Sequence, residues 1–253
     1  MKNTIFAISI IAALASCGDK DVDIPLPPPS SGSTMQLNGL ISNEPGPSAG
    51  NSVFVDFSAD EQTSIARESW DLGFYSGSEF KVIINSFNGA SAVRVNKTDI
   101  NTVTIDDIKR DTLRTGPNSA FQFYGSLNVV DDPTKANVLE KTAIASISSN
   151  DADNKVYVIN RKGGDATADD ANLYKIRILR KGTGYTLQYA KLSESSFKTL
   201  DISKNNDYNF QFASVLSGSI VNVEPSKADW DIVWSWTLYF TPYMQGVVLY
   251  GFP

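Results

Sequence analysis

From Gln36 onward, apolar side chains recur at every second position, and this period confines the chain to β structure. Trp70, Leu72 and Phe74 share one face, with Asp71 and Gly73 opposite. A period of two sends neighbouring side chains to opposite faces of a strand and cannot form an apolar stripe along a helix. The same alternation runs through Val53, Val55 and Phe57, through residues 79–86 around Val82-Ile83-Ile84, and through residues 155–159. Tyr174, Ile176 and Ile178 alternate with Lys175 and Arg177, the pattern of a half-exposed strand. Gly182-Thr183-Gly184 then turns the chain into Tyr185, Leu187 and Tyr189, which predicts a hairpin. Tyr208, Phe210 and Phe212 follow. The longest run is Trp230, Ile232, Trp234, Trp236, Leu238 and Phe240. Helical patterning is confined to residues 104–114 and 133–140, the second with Pro133 at a helix-start position. The expected fold class is all-β: β-rich with one or two short helices.

The first segment reads as an address. One positive charge at Lys2 precedes an apolar run from Ile5 to Leu14, of signal-peptide length and too short to span a bilayer. It ends in Leu14-Ala15-Ser16-Cys17, which resembles the lipobox of bacterial lipoproteins and implies acylation of Cys17. The acidic stretch at residues 18–23 resembles a surface-export signal. Pro25, Pro27, Pro28 and Pro29, followed by Ser30-Ser31-Gly32-Ser33, make a stiff and then flexible tether. The expected organisation is a signal peptide over 1–16, a lipidated Cys and tether over 17–34, and one β domain over 35–253. The expected location is the outer membrane, facing the cell surface, with lipid as the only membrane attachment.

Residues 232–253 carry no charge, yet Pro242, Gly246 and Gly251 interrupt them and their period is two. They read as two strands around a Pro-containing turn rather than as a membrane span. The sequence stops directly after the apolar run at residues 247–250. A last strand that is central in its sheet, or a C-terminal truncation, would each account for that.

Composition closes off several functions. The chain has no His, which removes Ser-His-Asp and Cys-His catalysis and imidazole metal sites. A formal net charge of −6 argues against a nucleic-acid partner. A single Cys makes no internal disulfide. No nucleophile–base spacing stands out, so the expectation is a protein that does not turn over a substrate.

A faint repeat links the two halves. Phe54-Val55-Asp56-Phe57-Ser58 precedes Trp70-Asp71-Leu72-Gly73-Phe74, and Phe210-Gln211-Phe212-Ala213-Ser214 precedes Trp230-Asp231-Ile232-Val233-Trp234. Each pair reads as an aromatic strand, a turn and a Trp-Asp strand, suggesting two copies of one hairpin. These segments, with Leu173-Tyr174-Lys175-Ile176-Arg177-Ile178 and Gly184-Tyr185-Thr186-Leu187-Gln188-Tyr189-Ala190, resemble the HmuY family of lipid-anchored haem-binding proteins. The likeness extends from Val53 to Tyr250, with gaps over residues 101–137. It implies an antiparallel HmuY-like sheet architecture. It also implies capture of haem, free or from haem-carrying proteins, and delivery to an outer-membrane receptor.

The sequence departs from that family at the iron. The family's best-known pattern holds haem between two His, and here there are none. Some relatives use Met thioethers instead. Met35 lies at the end of the tether, whereas Met244 lies in Thr241-Pro242-Tyr243-Met244-Gln245-Gly246, between aromatic strands. Met244 is the candidate thioether ligand, and its neighbour Tyr243 a candidate phenolate one. Tyr75 is also near a matching motif, and nothing selects between the two tyrosines. Thioether and phenolate both hold haem iron. The alternative is a non-catalytic surface lipoprotein that binds a glycan or a protein partner.

Other constellations have bland readings. Asp151-Ala152-Asp153-Asn154 has the start of a calcium loop, but no Gly follows at the required place and no Glu closes it, so a β-turn is expected. Asp71 and Asp231 could pair as glycosidase carboxylates. Their equivalent positions instead suggest one structural role made twice, accepting turn N–H groups. Trp230, Trp234 and Trp236 on one strand face would make an aromatic row, in a core or under a ligand.

Overall fold

The computed structural model describes residues 32–44, 48–120, 122–165, 167–243 and 246–252. Its strands are β1 (Asn51–Asp56), β2 (Glu61–Ala66), β3 (Leu72–Tyr75), β4 (Val82–Ile84), β5 (Ser91–Val95), β6 (Gly116–Pro117), β7 (Phe123–Tyr124) and β8 (Val156–Asn160). They continue as β9 (Leu173–Lys181), β10 (Gly184–Lys191), β11 (Lys198–Ile202), β12 (Phe210–Ser214), β13 (Ser219–Val221), β14 (Ile232–Trp234), β15 (Thr237–Tyr243) and β16 (Gly246–Phe252). The fold is all-β, and every strand pairing among the described residues is antiparallel.

Three sheets stack in layers. The outer one has five strands in the order β11-β10-β9-β8-β5, the middle one four in the order β13-β12-β3-β4, and the third β14-β1-β2. The main core fills the gap between the first two. Tyr157, Ile176, Ile178, Tyr185 and Leu187 of the five-stranded sheet meet Leu72, Phe74, Val82, Ile84 and Ala213 of the four-stranded one. The opposite face of the four-stranded sheet carries Ile83 and Phe212, which pack with Trp70, Trp230, Phe54 and Val233 against the third sheet. Strand alternation thus feeds two cores from one sheet. A further cluster covers the far face of the five-stranded sheet, where Ile100, Val103 and Leu113 lie on Val95, Val156, Val158 and Leu173.

The hairpin from β9 to β10 forms as expected, with Lys181 opposite Gly184 and Gly182 at φ +57° in the turn. That left-handed angle at the first central position is what glycine supplies without strain.

Four expectations need correction. The two helical segments are short 3-10 turns, at Ile105–Asp107, Arg110–Leu113 and Val138–Glu140, and no α-helix occurs among the described residues. Thr104 and Asn137 each form a capping box, but Ile108 and Lys141 return to extended backbone within one turn. Before the second turn, Asp132 Oδ1 accepts from Thr134 N at 3.0 Å, which folds Pro133 into a local loop.

Second, the long aromatic run is not one strand. It breaks at Ser235-Trp236 into β14 and β15, which belong to different sheets. Ser235 Oγ bonds Ser52 Oγ at 2.7 Å and Trp236 O at 3.0 Å, fastening the break to β1. Third, β1 is buried on both faces: Val53 and Val55 face away from Phe54, while Phe57, beyond the strand end, is 66% exposed. Fourth, Lys175 is only 1% exposed, because residues 100–113 cover the face expected to meet solvent.

Candidate functional site

The Trp-Asp motifs are related by pairing across the fold. Neither aromatic strand forms a hairpin with the Trp-Asp strand that follows it. β1 turns into β2 and β12 into β13, while β1 pairs with the distant β14 and β12 with the distant β3. Val55 lies opposite Ile232, and Ala213 opposite Leu72. The aspartates then repeat one arrangement. Asp71 N donates to Ala213 O at 2.9 Å and Asp231 N to Val55 O at 2.8 Å. Asp71 Oδ2 accepts from Val215 N at 2.7 Å and Asp231 Oδ2 from Phe57 N at 2.8 Å. Each carboxylate closes the end of its partner strand, the structural role expected of it.

The tryptophans repeat too. Trp70 meets Phe212 edge-on at 4.8 Å between ring centroids, and Trp230 meets Phe54 at 5.1 Å. Both indole N–H groups are buried with no hydrogen-bond partner among the described residues. Trp70 is 2% exposed and Trp230 is half-buried, and both enter the core between the four-stranded sheet and the β14-β1-β2 sheet.

The equivalence ends at charge. Asp231 is exposed, whereas Asp71 Oδ1 accepts from Arg161 Nε at 2.6 Å, with both side chains buried. Burial pushes the Asp71 carboxyl up, against the pull of Arg161 and the Val215 amide. The Arg161 guanidinium also lies over Tyr174, 5.8 Å from its centroid. The two carboxylates thus serve separate strand ends.

The candidate haem ligands lie at the C-terminal hairpin. β15 and β16 pair from Thr237 opposite Phe252 to Tyr243 opposite Gly246, so Tyr243 flanks the turn. Met244 lies outside the described residues. Pro242 sits within β15, opposite Val247, rather than in the turn.

At the base of this hairpin, Leu238 is buried with Val129 and Val130, and Trp236, Phe240 and Leu127 pack around them. The Arg67 guanidinium stacks over Trp236 at 5.0 Å while its Nε and Nη1 donate to Ala49 O and Phe87 O. Trp236 also lies against Gly164, whose φ of +84° and lack of a Cβ make room for the indole. The expected aromatic row is therefore dispersed: Trp230 is in the inter-sheet core, Trp234 over Gly39, and Trp236 under Arg67.

Charges that sequence reading missed sit inside the fold. Asp131 is buried with no cation partner among the described residues, accepting from Ile84 N and Ala143 N at 2.8 Å each, and burial raises its carboxyl to about 7. Glu224 is buried beside Phe210 N and is also raised by desolvation. Lys175 has a single acceptor, Val103 O at 2.9 Å, and burial lowers its ammonium. No local signal marks these residues, since their partners lie far off in sequence.

Residues 150–154 form a turn, with Asn154 Nδ2 and Oδ1 pinning Ser148. Among the described residues no cluster of three or more His, Cys, Asp or Glu is placed to hold a metal ion, and no helix is long and apolar enough to cross a membrane. Comparison with protein-family models, curated proteins and solved structures finds no match.

Proposed function

We propose that the chain is a lipid-anchored protein of the outer-membrane surface that captures haem, free or from haem-carrying proteins, and passes it to an outer-membrane receptor. The observation that carries this reading is the aromatic hairpin β15–β16, whose base packs Leu238 on Val129 and Val130 and whose turn end is flanked by Tyr243, with Met244 next to it in sequence. Burial of its apolar faces supplies most of the energy for holding a porphyrin, and the axial ligand sets its redox preference. Met244 and Tyr243 fit the group chemically, being thioether and phenol. With no His in the chain, ligation by two imidazoles is excluded. The Cys17 lipobox, the acidic stretch and the Pro-rich tether support presentation at a membrane surface.

The test is titration of the purified, untagged chain with haem, followed by absorption spectroscopy in the ferric and ferrous states. Haem binding with Met ligation is expected, and Met244→Ala should weaken ferrous binding more than ferric, because thioethers favour the reduced iron. Absence of haem binding would overturn the proposal. Equal affinities of variant and parent in both redox states would remove Met244 from the site.

A further inference from the structure

The five-stranded sheet has a second cleft, remote in sequence from the C-terminal hairpin, that the haem reading does not use. It lies where residues 101–110 cross the sheet and has a volume of about 470 Å³, within the range of small-ligand sites. Lys175 is at its inner wall. The strand alternation that sends Tyr174 and Ile176 to the main core sends Lys175 the other way, opposite Val158 on β8 and Ala190 on β10.

Its side chain is walled in by these apolar neighbours, and its ammonium reaches one acceptor, Val103 O. An ammonium carries three N–H donors. Among the described residues two therefore remain without a partner, and no carboxylate lies within ion-pair distance. A buried cation left in that state costs free energy that a ligand can recover.

The rest of the lining says what kind of ligand. Arg110 and Asp170 pair with each other at 2.5 Å, and Asp99 and Glu194 both act on the Lys175 ammonium, so the site carries no excess of positive charge. A neutral ligand suits that balance better than an anion. The lining offers both donors and acceptors, with hydroxyls at Thr104, Ser193 and Ser195. Ile105 and Leu192 add apolar surface, and Ile105 is one of the few large apolar side chains left exposed.

We infer that this cleft is a saccharide site in which Lys175 donates to ligand hydroxyls, Glu194 accepts from them, and Ile105 packs on a C–H face. The volume accommodates one or two pyranose rings. No covalent step is involved, and the site does not depend on the haem reading.

The test is calorimetric titration of the purified chain with glucose, galactose, mannose and N-acetylglucosamine and with cellobiose, lactose and chitobiose, alongside acetate and phosphate. At least one saccharide should bind with a Kd in the millimolar range or tighter. Lys175→Met, which removes the charge and keeps an apolar chain of similar length, should weaken that binding at least tenfold. Ser193→Trp should abolish it by filling the cleft from an exposed position, which keeps the test valid if the lysine variant does not fold. Binding of acetate or phosphate without any saccharide, no binding by the whole panel, or saccharide affinity unchanged in a folded Lys175→Met or Ser193→Trp chain would each overturn the inference.

Discussion

Replacing Asp71 and Asp231 in turn by Ala asks how much burial changes the worth of one structural device. The two carboxylates make the same strand-end contact, with Val215 N at 2.7 Å and Phe57 N at 2.8 Å. Asp231→Ala loses one hydrogen bond at an exposed site, which costs about 0.5–1.5 kcal/mol. Asp71→Ala loses its bond in the interior and also leaves Arg161 without its 2.6 Å partner. The Arg161 side chain is 8% exposed, so water does not readily replace the carboxylate. Breaking one side of such a buried pair costs about 3–5 kcal/mol. That is a large share of the roughly 5–15 kcal/mol by which domains are stable. Urea denaturation reads both variants on one scale, the midpoint falling while the slope stays constant. The double variant Asp71→Leu with Arg161→Met should recover most of the loss, because an apolar pair leaves no buried charge behind. A loss below about 1 kcal/mol for Asp71→Ala, on the scale of exposed contacts, would refute the reasoning. So would equal losses for the two single variants.

Asp131 should make stability depend on pH. Its folded value, about 7, is above its ordinary 3.8, so the folded chain keeps a proton that the unfolded chain releases. Stability should be full below pH 3.8, fall as pH rises from there to about 7, and level off above, with a drop on the order of 4 kcal/mol at about 1.4 per unit. Asp131→Asn should flatten that slope in urea titrations at pH 5 and pH 8, and an unchanged slope would count against it. Trp70→Ala should cost about 3–5 kcal/mol, the range for large aromatics in cores, and Trp230→Ala less, since Trp230 is only half-buried. The thermal midpoints should follow the same order. Cys17→Ser should abolish fatty-acid labelling and release the protein from membranes, and a labelled variant in the membrane fraction would contradict the lipobox reading.

The strands that alternate strongly were legible because one face is apolar and the other is not. β3, β8, β9, β10 and β12 fall where Leu72, Val156, Ile176, Leu187 and Phe212 placed them. β2 and β11 escaped notice because Glu61-Gln62-Thr63-Ser64 and Lys198-Thr199 face solvent at sheet edges and carry little apolar signal. The repeat was visible, but its partners were exchanged: local order suggested hairpins, and the ladder joins each aromatic strand to the Trp-Asp strand of the other half. Lys175 was read as exposed because its cover, at residues 100–113, comes from a stretch with weak patterning. The Asp71–Arg161 pair and the lone Asp131 depend on tertiary neighbours that no sequence window contains.

That exchange of partners has a kinetic consequence. β1 emerges early in synthesis, yet its ladder to β14 closes only when Ile232 and Trp234 have been made. β3 waits in the same way for Ala213. Pairings between such distant segments pay their loop-closure entropy before any contact rewards it, and sheets dominated by them fold slowly. The two Trp-Asp ladders therefore act as a delay: the layered body is completed only once the segments on both sides of each ladder have been made.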